Sequence, residues 1–159
     1  MWPSLLTEPK AVLGPYSGTA PSLNSFAPHS WRSDFSHVSV AGQFLQLPHK
    51  PPEKWLYSGT YRVYAVFEFL GTRMLECAGT PTPGEQDDSM HLVPVGVTGI
   101  CNLEELDEIW FDNPDNGLKV AWRRFSLLQP GFSLRLEAQH VMLYLGRQAL
   151  RQYGWPSEA

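Results

Sequence analysis

The chain has 159 residues, of which 43% are hydrophobic and 18% charged, and its formal net charge is −4. This length suits one domain, residues 1–159, with a sizeable core. The acidic balance disfavours nonspecific binding to nucleic acid, and no run approaches the roughly 18 apolar residues that a membrane-spanning helix needs. Residues 1–15 are broken by three prolines, so we expect no secretory signal there.

The sequence contains no recognised motif for catalysis or metal binding. Cys77 and Cys101 allow one disulfide at most and lie in no metal-binding spacing such as CxxC. The five histidines form no recognised metal pattern with one another, with cysteine or with carboxylates. No GxSxG elbow, phosphate-binding loop or dinucleotide fingerprint occurs. We therefore expect a cytoplasmic protein with two reduced thiols that is not an enzyme and has no cofactor.

The first third of the chain predicts a short helix, a loop and a hairpin. Pro9 limits a helix over residues 4–13 to a turn or two. Residues 14–28 are rich in Gly, Pro, Ser and Asn, which is typical of a connecting loop. Residues 29–34 and 37–47 predict two paired strands, and Gly42 within the second indicates a bulge or a close backbone contact.

Residues 60–70 give the clearest strand signal in the sequence. They are dense in β-branched and aromatic residues and contain no Pro or Gly. As a strand they have one wholly apolar face, formed by Val63, Ala65, Phe67 and Phe69. The other face is mixed, which predicts a central strand of an antiparallel sheet whose second face is partly wet. Gly71 and Thr72 predict a turn into a short strand over residues 73–78.

The rest of the chain predicts many short strands separated by turns. After a loop over residues 79–89, the strand segments are 92–101, 106–111, 118–125, 132–138 and 141–146. Residues 112–117 suit a hairpin connection, and residues 148–153 suit a final helical turn. This pattern predicts a mainly β fold, an antiparallel sheet arranged as a sandwich or a strongly curved sheet, with a short N-terminal helix and a C-terminal helical turn.

Acidic residues are concentrated in one part of the chain. Between Arg73 and Lys119 there are ten acidic residues and no lysine or arginine. The candidate partner-binding residues are Glu104, Glu105, Asp107, Glu108, Trp110 and Asp112. Such charges can steer a basic partner, and an exposed Trp110 can anchor it. A solvated acidic face explains the same charges, Trp110 suits a core position equally well, and the residue spacing of an EF-hand calcium loop is absent.

Several segments share features with one bacterial family. They are Leu5-Leu6 with Glu8-Pro9, Tyr16-Ser17, Pro21-Ser22-Leu23, the run Pro-His-Lys-Pro-Pro-Glu-Lys-Trp at 48–55, Phe-Glu-Phe-Leu at 67–70, residues 99–111, and Gly-Leu-Lys-Val at 117–120. In these segments the chain resembles the immunity protein fifty family of bacterial polymorphic toxin systems. The resemblance implies an antitoxin that neutralises a cognate toxin by direct protein–protein binding. It transfers no catalytic residue and no interface residue to this sequence.

The acidic stretch adds the expectation that the toxin domain has a basic surface, with neither nucleic acid nor membrane as a partner. Two other classes stay open. The aromatic residues, such as Trp55, Tyr61, Tyr64 and Trp122, also suit a small-ligand-binding β-barrel. A structural or assembly protein is the other alternative, and a stable homo-oligomer would favour it.

Overall fold

The computed structural model describes residues 1–34, 36–79, 91–92, 98–106, 109–111 and 118–154. The α-helices are α1 (Lys10–Leu13) and α2 (Arg147–Tyr153), and short 3-10 helices cover Trp2–Leu5, Leu23–Ser25 and Glu53–Trp55. The strands are β1 (Phe26–Asp34), β2 (His37–Phe44), β3 (Leu56–Tyr57), β4 (Thr60–Tyr61), β5 (Val63–Gly79), β6 (His91–Leu92), β7 (Ile100–Glu105), β8 (Ile109–Phe111), β9 (Leu118–Val120), β10 (Arg123–Gln129) and β11 (Phe132–Leu145).

The main sheet is antiparallel and strongly curved, as the sequence predicts. Within the described ranges it has seven strands in the order β6-β1-β2-β5-β11-β10-β7. Two small hairpins, β3–β4 and β8–β9, form separate two-stranded sheets. The β8–β9 pairing agrees with the predicted hairpin, although its connection, residues 112–117, lies outside the described residues.

Strand β5 lies at the centre of the sheet, between β2 and β11. Its predicted apolar face is confirmed, because Val63, Ala65, Phe67 and Phe69 are all fully buried. We call this the inner face of the sheet. Phenylalanines from several strands meet there, and the ring of Phe69 on β5 lies 4.7 Å, centroid to centroid, from that of Phe125 on β10.

The N-terminal segment covers part of the inner face. The Trp2 ring stacks on Phe44 at 6.1 Å, and its indole N–H donates a hydrogen bond to the carbonyl of Pro21 at 2.9 Å. Val12 in α1 is fully buried. The predicted helix over residues 4–13 is therefore two separate short pieces that lie on either side of Pro9, and both pack against the core.

The opposite, outer face of the sheet is covered in part by α2. Tyr153 is buried, and its hydroxyl accepts a hydrogen bond from Ser30 on β1 at 2.9 Å. Gln152 donates a hydrogen bond to Glu68 on β5 at 3.1 Å. The predicted C-terminal helical turn is thus a two-turn helix that packs on the outer face of β1, β2 and β5.

Several predicted strand boundaries are wrong. Gly71 does not turn the chain, because β5 continues from Val63 to Gly79 and Gly71 lies inside it with φ of 62°. The two strands predicted at 132–138 and 141–146 are one strand, β11, which pairs with β5 along most of its length. The predicted strand at 118–125 is instead divided between β9 and β10.

Gly42 shows why glycine is needed at one position of the β1–β2 hairpin. The register between these strands shifts between Pro28 and Ser30, opposite Gly42, which is the irregularity that the sequence predicted. A Cβ atom at position 42 would collide with the carbonyl oxygen of Ala27 and come within 2.8 Å of the Pro28 Cα. Both are backbone atoms, so a side chain could be accepted only by moving the strand.

Candidate protein-binding face

The outer face of β5, β11, β10 and β7 carries three rows of side chains that run across the strands. The first row is Ile100, Leu128, Ser133 and Ala78. The second is Asn102, Ser126, Arg135 and Glu76. The third is Glu104, Arg124, Glu137 and Arg73. We call these twelve residues the open face, because α2 lies on the other half of the sheet.

The third row is an ionic network around one buried carboxylate. The Glu137 side chain is only 5% exposed. Its Oε1 accepts a hydrogen bond from Arg73 Nε at 3.0 Å, and its Oε2 accepts one from Arg124 Nη2 at 3.0 Å. Arg124 also reaches Glu104 at 3.6 Å, and the Arg73 guanidinium lies 3.8 Å from the centre of the Trp122 ring.

The two arginines decide the charge state of Glu137. Burial by itself raises the pKa of this carboxyl group, but hydrogen bonds from Arg124 and Arg73, with their positive charges, outweigh that effect. The net pKa lies below the ordinary 4.5. Glu137 is therefore an ionised, fully paired group that ties β5, β11 and β10 together.

The first row exposes apolar surface. Ile100 and Leu128 lie directly opposite each other on β7 and β10 and are 64% and 56% exposed. Beside Leu128 the sheet surface has a shallow depression of about 390 Å³. Arg135 and Glu76 also line this depression, and their charged groups approach each other at 3.7 Å. The open face thus combines an apolar pair with a polar and charged surround.

The structure places two of the six predicted partner-binding residues. Glu104 and Glu105 are exposed on β7, which is an edge strand of the described sheet. Glu104 belongs to the open face, while Glu105 pairs in register with Arg123.

The side chains of the other four predicted residues lie outside the described part of the structure. Asp107, Glu108 and Asp112 lie outside the described residues. Trp110 lies in β8, but its side chain is outside the described part of the structure. The choice between an anchor and a core position for Trp110 therefore stays a prediction.

Most of the open face was not predicted from the sequence. Arg135 and Glu137 alternate with buried leucines, and Arg124 precedes the buried Phe125, but this local alternation does not show that the three side chains meet. One signal was present, because Leu128 is an apolar residue at a position where its strand points outward. Its partner Ile100 could be identified only from the β7–β10 register.

The described residues offer neither a metal site nor a membrane-spanning helix. Within the described ranges no three His, Cys, Asp or Glu side chains come together as a metal site. The helices that the structure describes are all too short or too polar to cross a bilayer. In comparisons with known proteins, no family model, no curated protein and no solved structure matches the chain.

Proposed function

We propose that this chain is an immunity protein that neutralises a cognate toxin domain by direct binding through its open face. The observation that carries the proposal is the exposed pair Ile100 and Leu128 beside the acidic edge strand β7. The partner is a toxin domain with a basic surface, because the charges at this edge are Glu104 and Glu105.

The apolar pair supports binding to a protein rather than simple solvation. Burying a large aliphatic side chain contributes roughly 1.5–3 kcal/mol. A partner that covers both Ile100 and Leu128 therefore gains substantial binding free energy. Interfaces typically have an apolar centre with a polar rim. The open face has this composition, since Ile100 and Leu128 adjoin the row that contains Asn102, Ser126 and Arg135.

The distribution of acidic residues supports a partner with a basic surface. The buried carboxylates Glu68 and Glu137 already have hydrogen-bond donors inside the protein. Glu104 and Glu105 are instead exposed at the edge of the sheet. The ion pair from Glu104 to Arg124 is partly exposed and therefore worth little in itself, so these two carboxylates remain available to a basic surface.

Neutralisation by this face needs no chemistry from the immunity protein. A standard interface buries roughly 800 Å² on each partner, which is enough to cover a toxin's active site or a surface that its substrate needs. The exposed carboxylates speed the encounter with a basic partner, and this effect weakens as salt is added.

The test begins with identification of the partner. The tagged chain is used to capture proteins from its host, and a stoichiometric partner is expected whose C-terminal domain is toxic alone and harmless when co-expressed with this chain. Absence of any such partner would overturn the immunity proposal.

The face is then tested with paired variants. The double substitution Ile100→Ser and Leu128→Ser should weaken binding at least about tenfold, as expected for central interface residues. Leu45→Ser with Leu47→Ser is the matched control, because these leucines are also exposed but lie after β2 and outside the open face. If the control variant weakens binding and the first does not, the interface lies elsewhere.

A further inference from the structure

A polar cavity lies on the outer face, next to the end of α2. It has a volume of about 450 Å³ and is lined by Arg32, Ser33, Asp34, His37, Ser39, Glu68 and Gln152. At its base, Glu68 on β5 pairs in register with Ser39 on β2. Both side chains are buried, although they line an opening to the surface. We propose that this cavity binds an organic cation, an ammonium or guanidinium group, on the carboxylate of Glu68.

The contacts of Glu68 leave its charge poorly compensated. The side chain is only 8% exposed. Its Oε1 accepts a hydrogen bond from the neutral amide of Gln152 at 3.1 Å. Its Oε2 lies 3.8 Å from His37 Nε2, which is beyond hydrogen-bond distance. Within the described ranges, no lysine or arginine lies within 4.0 Å of this carboxylate.

The buried carboxylate of Glu137 provides the internal comparison. It has nearly the same burial but accepts hydrogen bonds from two guanidinium groups, at 3.0 Å each. A buried charge is normally matched by an opposite charge and by hydrogen bonds. Glu137 receives that match from its own chain, whereas Glu68 faces a cavity from which a ligand can supply it.

The other charged groups of the cavity do not neutralise Glu68. Arg32 and Asp34 both line it, and their opposite charges offset each other. The Arg32 guanidinium lies over the Tyr153 ring, 4.0 Å from its centre, and not on Glu68. With Arg32 and Asp34 cancelling, Glu68 leaves the lining, His37 apart, with one uncancelled negative charge, which favours a cation.

The cavity does not have the ligands of a metal site, but it suits an organic cation. Its carboxylates and His37 do not form a three-ligand metal site. Its volume is enough for a guanidinium or ammonium group with a short carbon chain. The same chemistry has two sources, a free small amine or the side chain of a lysine or arginine on a bound protein. The inference does not depend on the proposed function.

The test uses the full chain and nuclear magnetic resonance titration. The probes are agmatine, a free cation, and Nα-acetyl-arginine amide, which represents a protein side chain. The neutral isostere Nα-acetyl-citrulline amide is the control ligand. At least one cationic probe should give saturable shifts at the amides of Ser33, His37 and Gln152, with Kd near about 1 mM or tighter, and the citrulline probe should not.

The variants locate the site. Glu68→Gln should weaken the binding of the cationic probe at least about tenfold, because a charge-assisted hydrogen bond is lost. Glu53→Gln, which replaces an exposed acid, should leave the affinity for that probe unchanged. Preferential binding of agmatine would indicate a free amine, and preferential binding of the capped arginine would indicate a side chain of a partner. No saturation by either cation, or equal binding of the citrulline probe, would overturn the proposal. That ligand comparison uses the natural chain, so it holds even if the Glu68 variant fails to fold.

Discussion

Glu137 is a buried charged residue with two guanidinium partners on the outer face. Its carboxylate bridges Arg73 on β5 and Arg124 on β10, so one side chain links three adjacent strands. Removing one partner of a buried ion pair leaves the others uncompensated, which costs more than the pair itself contributes. The residue is therefore structural, and its effect should depend on pH.

Glu137→Gln should lower the free energy of unfolding by about 2–4 kcal/mol at pH 7, measured by urea denaturation. The folded pKa of Glu137 is depressed below 4.5. Its stabilising contribution is thus fully present above the unfolded pKa and is lost as the pH falls from about 4.5 through the folded value. The difference between the variant and the natural chain should shrink over that acidic window.

A matched surface variant serves as the control for this prediction. Glu76→Gln removes an acid of the same face, but its contact with Arg135 is 3.7 Å long and both side chains are exposed. Its effect should stay within about 0.5 kcal/mol. The structural role of the Glu137 ionic network would be contradicted in two cases. One is that Glu137→Gln lowers the free energy of unfolding no more than Glu76→Gln does, and the other is that its effect stays the same at low pH.

Strand β5 shows how far local sequence patterns determine an element. The alternation of Val63, Ala65 and Phe67 correctly predicted the inner face, because successive side chains of a strand point to opposite faces. The prediction that the second face is partly wet is wrong for Tyr64, Val66 and Glu68, which are buried as well, because α2 packs on that side of β5. Gly71 was wrongly predicted to turn the chain, since a glycine with positive φ serves a turn and an irregular strand alike. The pairing of β5 with β11, which keeps the strand continuous through that point, is set by distant residues.

The same limit applies to the candidate site. The exposed acids Glu104 and Glu105 were identifiable from composition, whereas the ionic row and the Ile100–Leu128 pair depend on register between strands. The Glu68 cavity needs three distant elements, β1, β2 and α2, to come together around β5. No local pattern around Glu68 indicates that a helix from the C-terminal end will cover it.

The β1–β2 hairpin gives an element-scale prediction. Gly42→Ala should lower the free energy of unfolding by about 3 kcal/mol, because the added Cβ meets the backbone of Ala27 and Pro28 and a strand must shift. Gly18→Ala is the control, since Gly18 has φ of 85° but a Cβ added there would meet no atom within 4 Å. Gly18→Ala should lower the free energy of unfolding by only about 1–2 kcal/mol, which is the strain of an alanine with positive φ. Equal losses in urea denaturation would show that close approach at Gly42 is unimportant.

At the scale of the whole molecule, the sheet holds the two cysteines apart. Cys101, Leu127, Leu134 and Cys77 form one cross-strand row. The two thiols are therefore separated by three strand spacings, about 14 Å, which is too far for a disulfide. Both cysteines are free, with Cys77 exposed and Cys101 buried.

This arrangement predicts how the thiols react. Burial raises the pKa of Cys101 to about 12, and partial desolvation also raises that of Cys77. Because the thiolate is the reactive form, the folded protein should react with Ellman's reagent slowly and at Cys77 alone. Denaturant should expose the second thiol. Two thiols that react equally fast in the folded protein, or no reactive thiol after unfolding, would contradict the strand order.

The strand order also determines when the sheet can close during synthesis. Strands β1, β2 and β5 are near neighbours in the sequence, whereas β5 meets β11 through pairs such as Phe69 with Val141. Until β11 has left the ribosome, the central strand of the finished sheet is a temporary edge with unpaired backbone groups. Such an edge can recruit other chains. Correct folding therefore requires β11 to pair with β5 before a strand of another protein molecule does so.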